Sequence, residues 1–285
     1  MSLRVPMWVR GTPGYQALRR ALGRGPSPEE VALAEAEAIK DSFVGPCAVC
    51  GEHGRFVRGN YAISEGYRCP ACIALVRYQG QARVLLDRYA RHGATSFRDL
   101  VAEQEFRNLR IWEPGQLGPF RAYLAGHPKN ETSRYWPDVP SGECRDGVRC
   151  QNLMALSFPS SSLDIVITSD VFEHVRRPFV GFSEIHRVLR SGGTHVFSIP
   201  GLWPLRRTTL SLVDVDNDED VLLEEPKYHG NDLVYNEFGL DLLDRLDEIG
   251  FQTEVIRFAC DNQSAARVVT FCSTKPAEGS GVAPL

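Results

Sequence analysis

The chain lacks any apolar run approaching the roughly 20 residues a membrane helix requires, which argues against a transmembrane protein. Its amino terminus, MSLRVPMWVRGTPGYQALRR, has no continuous apolar core followed by a small-residue cleavage site. Secretion is therefore not indicated, and the cytoplasm is the expected compartment. Positive charge is not in excess: 32 Lys and Arg against 36 Asp and Glu leave a net −4, which argues against a surface that tracks nucleic acid throughout. Internal repeats are absent, as is low-complexity sequence beyond one acidic run. What remains is ordinary globular composition, 43% hydrophobic and 24% charged over 285 residues, enough for one large domain with a smaller appendage.

The most informative stretch runs from Leu163 to Pro200, LDIVITSDVFEHVRRPFVGFSEIHRVLRSGGTHVFSIP. Leu163 to Thr168 is an almost unbroken β-branched run, as expected of a parallel strand buried on both faces. Phe179, Phe182, Ile185, Val188 and Leu189 then recur at helical spacing, and Gly192 and Gly193 follow where a left-handed cap is expected. Open α/β sheets bind ligands beyond the carboxyl ends of their strands, which places Ser169, Asp170, Glu173 and His174 where chemistry would occur.

These residues resemble class I S-adenosylmethionine-dependent methyltransferases of the type 11 group, through LDIVITSDVFEHV and EIHRVLRSGG. The resemblance implies an α/β fold, a doubly wound Rossmann-like sheet of seven strands, over residues 105–275. It also implies cofactor contacts. In NLRIWEPGQLGPF, Glu113 would contact the methionine part while Gly115 and Gly118 let the backbone approach it. The second strand falls at Thr132 to Tyr135, where Arg134 stands in place of the family's ribose-binding carboxylate and Asp138 follows four residues later. Asn152 and Leu153 stand beside the adenine, with an amide oxygen as acceptor. Ser169 and Asp170 complete the cofactor set. TSDV replaces the NPPF-like tetrad of enzymes that methylate exocyclic base amines, which argues against that activity.

If the acceptor is a hydroxyl, a base helps remove its proton. His229 in KYHGND is the first candidate, ahead of His174 and Glu173, because EHV could equally orient the loop backbone. The expected acceptor is a small molecule or glycan-type compound. RNA is the second reading, and a non-catalytic binding protein with an altered cofactor site is the third.

Cys47, Cys50, Cys69 and Cys72 form C-x2-C-x18-C-x2-C, the spacing of a closed four-thiolate zinc site, so residues 43–75 read as a structural zinc ribbon. Cys144, Cys150, Cys260 and Cys272 have no such spacing and are expected to be buried small side chains. Residues 1–42 include a capped helix from Ser27 to Ser42. Residues 76–104 include a linking helix with Leu75, Tyr78, Ala82, Leu85, Leu86 and Tyr89 in phase, ending at Gly93. Seven arginines in Phe43 to His92, Arg77 and Arg83 among them, are the basis for RNA binding by this module, against the alternative of a solvated basic face.

After the fifth strand a long insertion carrying His229 interrupts the fold and is long enough to cover a cleft. Asp214, Asp216, Asp218 and Glu225 in it mimic a calcium loop, but Glu219 occupies the position that needs glycine. A last strand, Arg267 to Ser273, is expected at the sheet edge, and residues 276–285 as a disordered tail.

Overall fold

The computed structural model describes residues 41–115, 118–217 and 219–277. The helix expected from Ser27 falls outside the described residues except for Asp41 and Ser42, and most of the expected tail falls outside them too. No helix among the described residues is long and apolar enough to cross a membrane.

Two antiparallel strands, β1 (Ser42–Pro46) and β2 (His53–Val57), open the described chain, with Pro46 opposite His53 and the first cysteine pair in the turn between them. The second pair lies in the loop before helix α1 (Val76–Tyr89). β3 (Ile111–Trp112) follows, then α2 (Pro119–Leu124), β4 (Asn130–Glu131), β5 (Leu163–Ser169), α3 (Pro178–Val188), β6 (Leu189–Ser198), α4 (Asp241–Ile249), β7 (Gln252–Arg257) and β8 (Val269–Thr274).

The central sheet is mixed and six-stranded, in the order β7-β8-β6-β5-β3-β4. β4, β3, β5 and β6 are parallel, whereas β8 is antiparallel to both β6 and β7. The described residues thus give six hydrogen-bonded strands in this sheet where the resemblance implies seven. The expected second strand breaks at Thr132. Beyond it Ser133–Arg134 pairs in parallel with Val148–Cys150 in a separate three-stranded sheet. The last strand is also not at the edge: β8 is interior, and β7 is the edge strand.

β5 is buried along its length until Ser169, as its β-branched run demands. Strand alternation sends Ile165 and Ile167 into one core and Val166 into the other. The second core packs α3 and α4 on the sheet through Phe182, Ile185, Leu242 and Leu246. In the first, the cysteine module and α1 join the sheet: Cys47, Phe56, Tyr67 and Leu85 share one cluster with Ile111, Ile165 and Cys272. α1 is therefore a layer of the α/β fold and not a spacer. At Gly80 it approaches β8 so closely that a Cβ would lie 2.4 Å from Thr270 Oγ1.

α3 ends earlier than the glycine pair suggests. Its cap is Leu189 in an extended conformation, and the Lys275 ammonium donates to the His186 and Leu189 carbonyls at 2.9 and 2.8 Å, satisfying the helix end. Gly192, with φ +77°, instead turns the start of β6, where its N–H donates to the Lys275 carbonyl.

Candidate active site at the strand ends

β3 and β5 run parallel, so the loops that follow them open on one edge of the sheet. After β3 the chain turns at Glu113, whose side chain is 7% exposed. Its Oε1 accepts the Gly115 N–H at 3.1 Å, and its Oε2 is buried without a hydrogen-bond partner. Burial pushes the carboxyl up to about 7 against the opposing pull of the Gly115 N–H. A Cβ on Gly115 would sit 2.2 Å from Glu113 Oε1, so only glycine leaves this carboxylate its place.

Beside this turn lies a cavity of about 560 Å³. It is lined by Trp112, Pro114 and Gly115 after β3, by Arg134, Asn152 and Leu153, and by His174 and Tyr235. Asn152 Oδ1 already accepts the Met154 N–H at 2.9 Å, which leaves its amide nitrogen and one lone pair for a ligand.

The three residues proposed for catalysis come together. Glu173 and His174 lie in a 3-10 turn after β5, while His229 arrives from a hairpin that pairs Tyr228–His229 with Asp232–Leu233. His229 Nδ1 is 3.3 Å from Glu173 Oε1, and His174 Nε2 is 3.6 Å from the same oxygen. Glu173 is 1% exposed and His229 45%. Burial raises the Glu173 carboxyl above the usual carboxylate range, and the Glu173 carboxylate raises the His229 imidazole. The insertion is fastened here by the Tyr235 N–H, which donates to the Glu173 carbonyl at 2.7 Å, and by the Asn236 amide on the Val175 carbonyl.

Other expected contacts lie elsewhere. Ser169 Oγ donates to Gln81 Oε1 at 2.6 Å, and Asp170, at φ +50°, accepts from Ser198 Oγ at 2.6 Å and lies 3.5 Å from Arg77 Nε. Both are turned toward α1 and away from the cavity wall. Asp138 is exposed and pairs bidentately with Arg145, whereas Arg134 lines the cavity; β4, which pairs with β3, ends in Glu131. Gly118 faces Tyr78 across a second groove, not the cavity of Gly115.

Arg77 is buried against Asp170 and Glu65, which removes it from any nucleic-acid surface. Cys144 is exposed rather than buried, Cys260 half-buried, and Cys150 and Cys272 buried. In the acidic loop Arg176 donates to the carbonyls of Asn217 and Glu219 and pairs with the Asp220 carboxylate, and Arg177 donates to the Val215 carbonyl, so arginine cations already occupy this loop. Asp218 lies outside the described residues.

Cys47, Cys50, Cys69 and Cys72 place their sulfurs within 4.8 Å of one another. Cys47 and Cys72 are 3.7 Å apart, as are Cys50 and Cys69. A tetrahedral ion with bonds of ~2.3 Å holds its sulfurs about 3.8 Å apart. Each first cysteine also accepts the N–H of its third neighbour, Cys50 to Cys47 and Cys72 to Cys69, as knuckle turns do. The four free thiols therefore fit a closed metal site.

Residues 136–197 match the family model described as a methyltransferase domain. The match covers Asn152 and Leu153, β5, Glu173, His174 and α3, and supports an S-adenosylmethionine-dependent methyltransferase. A search of the curated proteins gave no match. Similar solved structures include an S-adenosylmethionine-dependent methyltransferase from Mesorhizobium loti, 19% identical, covering 58% of this chain and 90% of that one with a TM-score of 0.39. Another, from Listeria monocytogenes, is 13% identical over 58% and 89% of the two chains at a TM-score of 0.39. The 1,6-didemethyltoxoflavin-N1-methyltransferase of Burkholderia thailandensis is 13% identical over 58% and 70%, at 0.36. The fold assignment rests on the strand order, not on these scores.

Gln81 and Arg176 were not singled out in the sequence, and Arg77 was named there only for RNA binding. Gln81 and Arg77 lie on a helix far from the motif, and only its packing on the sheet brings them to the strand tips.

Proposed function

We propose that the protein transfers a methyl group from S-adenosylmethionine to a hydroxyl of a small-molecule or glycan-type acceptor. One observation carries the reading: Gly115, packed against the buried Glu113 carboxylate with its orphaned oxygen, and His174 of the Glu173–His174–His229 cluster line one and the same cavity. When bound, the cofactor supplies an electrophilic methyl on a sulfonium. Glu113 would hold its ammonium group, because a cation there satisfies Oε2 and returns the carboxyl to its ionised form. Gly115 leaves room for that contact, Asn152 and Leu153 line the adenine side, and Arg134 lines the same cavity. Glu173, His174 and His229 engage the acceptor hydroxyl, while the insertion, through Tyr235, keeps water from the cavity.

The four cysteines act structurally by holding a zinc ion under α1. The parallel pairing of Val148–Cys150 with Ser133–Arg134 supports a seventh strand position beyond β4.

Calorimetric titration of the zinc-loaded protein with S-adenosylmethionine and S-adenosylhomocysteine tests the reading. Micromolar binding that is lost in Gly115→Arg is expected. Absence of binding at millimolar ligand would overturn it in favour of a non-catalytic binding protein.

A further inference from the structure

We propose that Glu173, His174 and His229 form a binding site for a divalent first-row transition-metal ion, separate from the cysteine site. The inference rests on the methyl-transfer reading only for what the ion would do, not for whether it binds.

One oxygen of Glu173 and one nitrogen from each histidine all lie within 4.8 Å of one another. The nitrogens stand 3.3 and 3.6 Å from Glu173 Oε1. An ion with bonds of ~2.1 Å keeps its neighbouring ligands roughly 3.0 to 3.4 Å apart, so the three atoms need only small adjustments to share one.

The second argument is one of unmet valence. Neither carboxylate oxygen of Glu173 accepts a hydrogen bond, although the side chain is almost fully buried. A buried carboxylate in that condition is costly, and a cation answers the cost directly.

The third concerns the tautomer of His174. Its Nδ1 lies 2.8 Å from the Leu233 carbonyl oxygen. A carbonyl only accepts, so Nδ1 carries the hydrogen and the lone pair of the neutral ring is on Nε2, which faces Glu173. A lone pair facing a carboxylate oxygen repels it unless a positive centre lies between. Donation of the far ring N–H to a backbone carbonyl is also how metal-binding histidines are usually oriented.

Two imidazoles and one carboxylate suit manganese, iron, cobalt, nickel or zinc, whereas four thiolates select zinc, so the two sites differ in preference. His174 lines the cavity and His229 is half-exposed, so an ion here can be reached from solvent and keeps positions open toward the cavity. An acceptor hydroxyl filling one of them would be acidified, and His229 would then act as a ligand rather than as a base.

Full-length zinc-loaded protein titrated with Mn²⁺, with the free ion followed by electron paramagnetic resonance, tests the proposal. One Mn²⁺ per chain is expected in addition to zinc. Affinity should fall at least about tenfold in His229→Ala and in Glu173→Gln, with zinc content and thermal midpoint held. His229 is on an exposed hairpin, so that variant keeps the test valid if the buried Glu173 variant unfolds. No Mn²⁺ or Co²⁺ bound at millimolar concentration, or binding undiminished in His229→Ala, would overturn it. S-adenosylhomocysteine titrated into the same wild-type protein separates the two proposals. Nucleoside binding without the metal ion overturns the ion site alone, and metal binding without the nucleoside overturns the methyl-transfer reading alone.

Discussion

Gln79 Nε2 donates to Cys47 Sγ across 3.2 Å, and the same side chain accepts the Ala48 N–H on its Oε1 at 2.8 Å. Two residues further along α1, Gln81 donates to the Thr168 carbonyl at 2.7 Å and accepts from Ser169. One buried face of one helix thus orients a thiolate at one point and the tip of β5 at another.

Gln79→Leu keeps the volume but leaves the Ala48 N–H buried without an acceptor. It should destabilise the protein by about 1–3 kcal/mol and weaken zinc retention by roughly tenfold or more. Competition with a chromogenic chelator measures the second effect. Unchanged retention would show that the glutamine only fills space.

Gly51 and Ile73 hold corresponding places, each directly after the second cysteine of its pair, and both have positive φ, +80° and +62°. Glycine adopts this backbone freely, but a β-branched residue is strained there. Ile73 is also 47% exposed, so little packing compensates. Ile73→Gly should stabilise the protein by about 1 kcal/mol, raising Tm by roughly 2–4 °C in a chain of this size. A fall in Tm in calorimetry would contradict this.

Two buried groups pull the pH dependence of stability in opposite directions. Burial raises the Glu113 carboxyl to about 7, so the folded state holds a proton that the unfolded state has lost; this stability is present below the ordinary carboxylate pKa and fades as pH rises toward 7. His195, wholly buried with Nε2 2.9 Å from Thr168 Oγ1, is depressed to about 3, so its contribution is complete above pH 6.5 and lost as pH falls. Each group contributes a slope of up to ~1.4 kcal/mol per pH unit where only one state is protonated. Between about pH 4.5 and 6.5 the two slopes nearly cancel in the wild type. Relative to it, Glu113→Gln should gain stability with rising pH across that window, and His195→Leu should lose it, whatever their absolute stabilities. Urea midpoints at four pH values decide; parallel curves for all three proteins would refute both assignments.

Gly115→Ala tests the cradle with one carbon. Because the new Cβ would fall 2.2 Å from Glu113 Oε1, the carboxylate must move. S-adenosylhomocysteine affinity should drop at least about tenfold, ~1.4 kcal/mol, in calorimetry with little change in Tm. An unchanged affinity would remove Glu113 from the cofactor site.

The β5–α3–β6 series was legible because a buried parallel strand must be apolar on both faces and its helix must show a 3.6-residue stripe. The cysteine spacing was legible because two knuckles need the same short turn. Glu173, His174 and His229 were legible as candidates, but not their contact, since the hairpin that returns His229 to Glu173 depends on short strands with no periodicity to read. The partners of Asp138 and Ser169 were not legible, because a residue's place in a motif does not reveal them: Arg145 pairs with one and Gln81 with the other. The end of α3 was missed because Lys275, far away in sequence, caps it.

The cysteine module and the parallel strands close over one another around Phe56, Tyr67, Leu85, Ile165 and Ile167, with no seam between them. A chain beginning at residue 76 would bare that entire face to water, so the methyltransferase-like half should not persist as an excised fragment. If the four cysteines hold zinc as proposed, removing it should be felt as loss of the whole molecule's cooperativity, and the apparent stability of the strand tips would become a function of zinc supply.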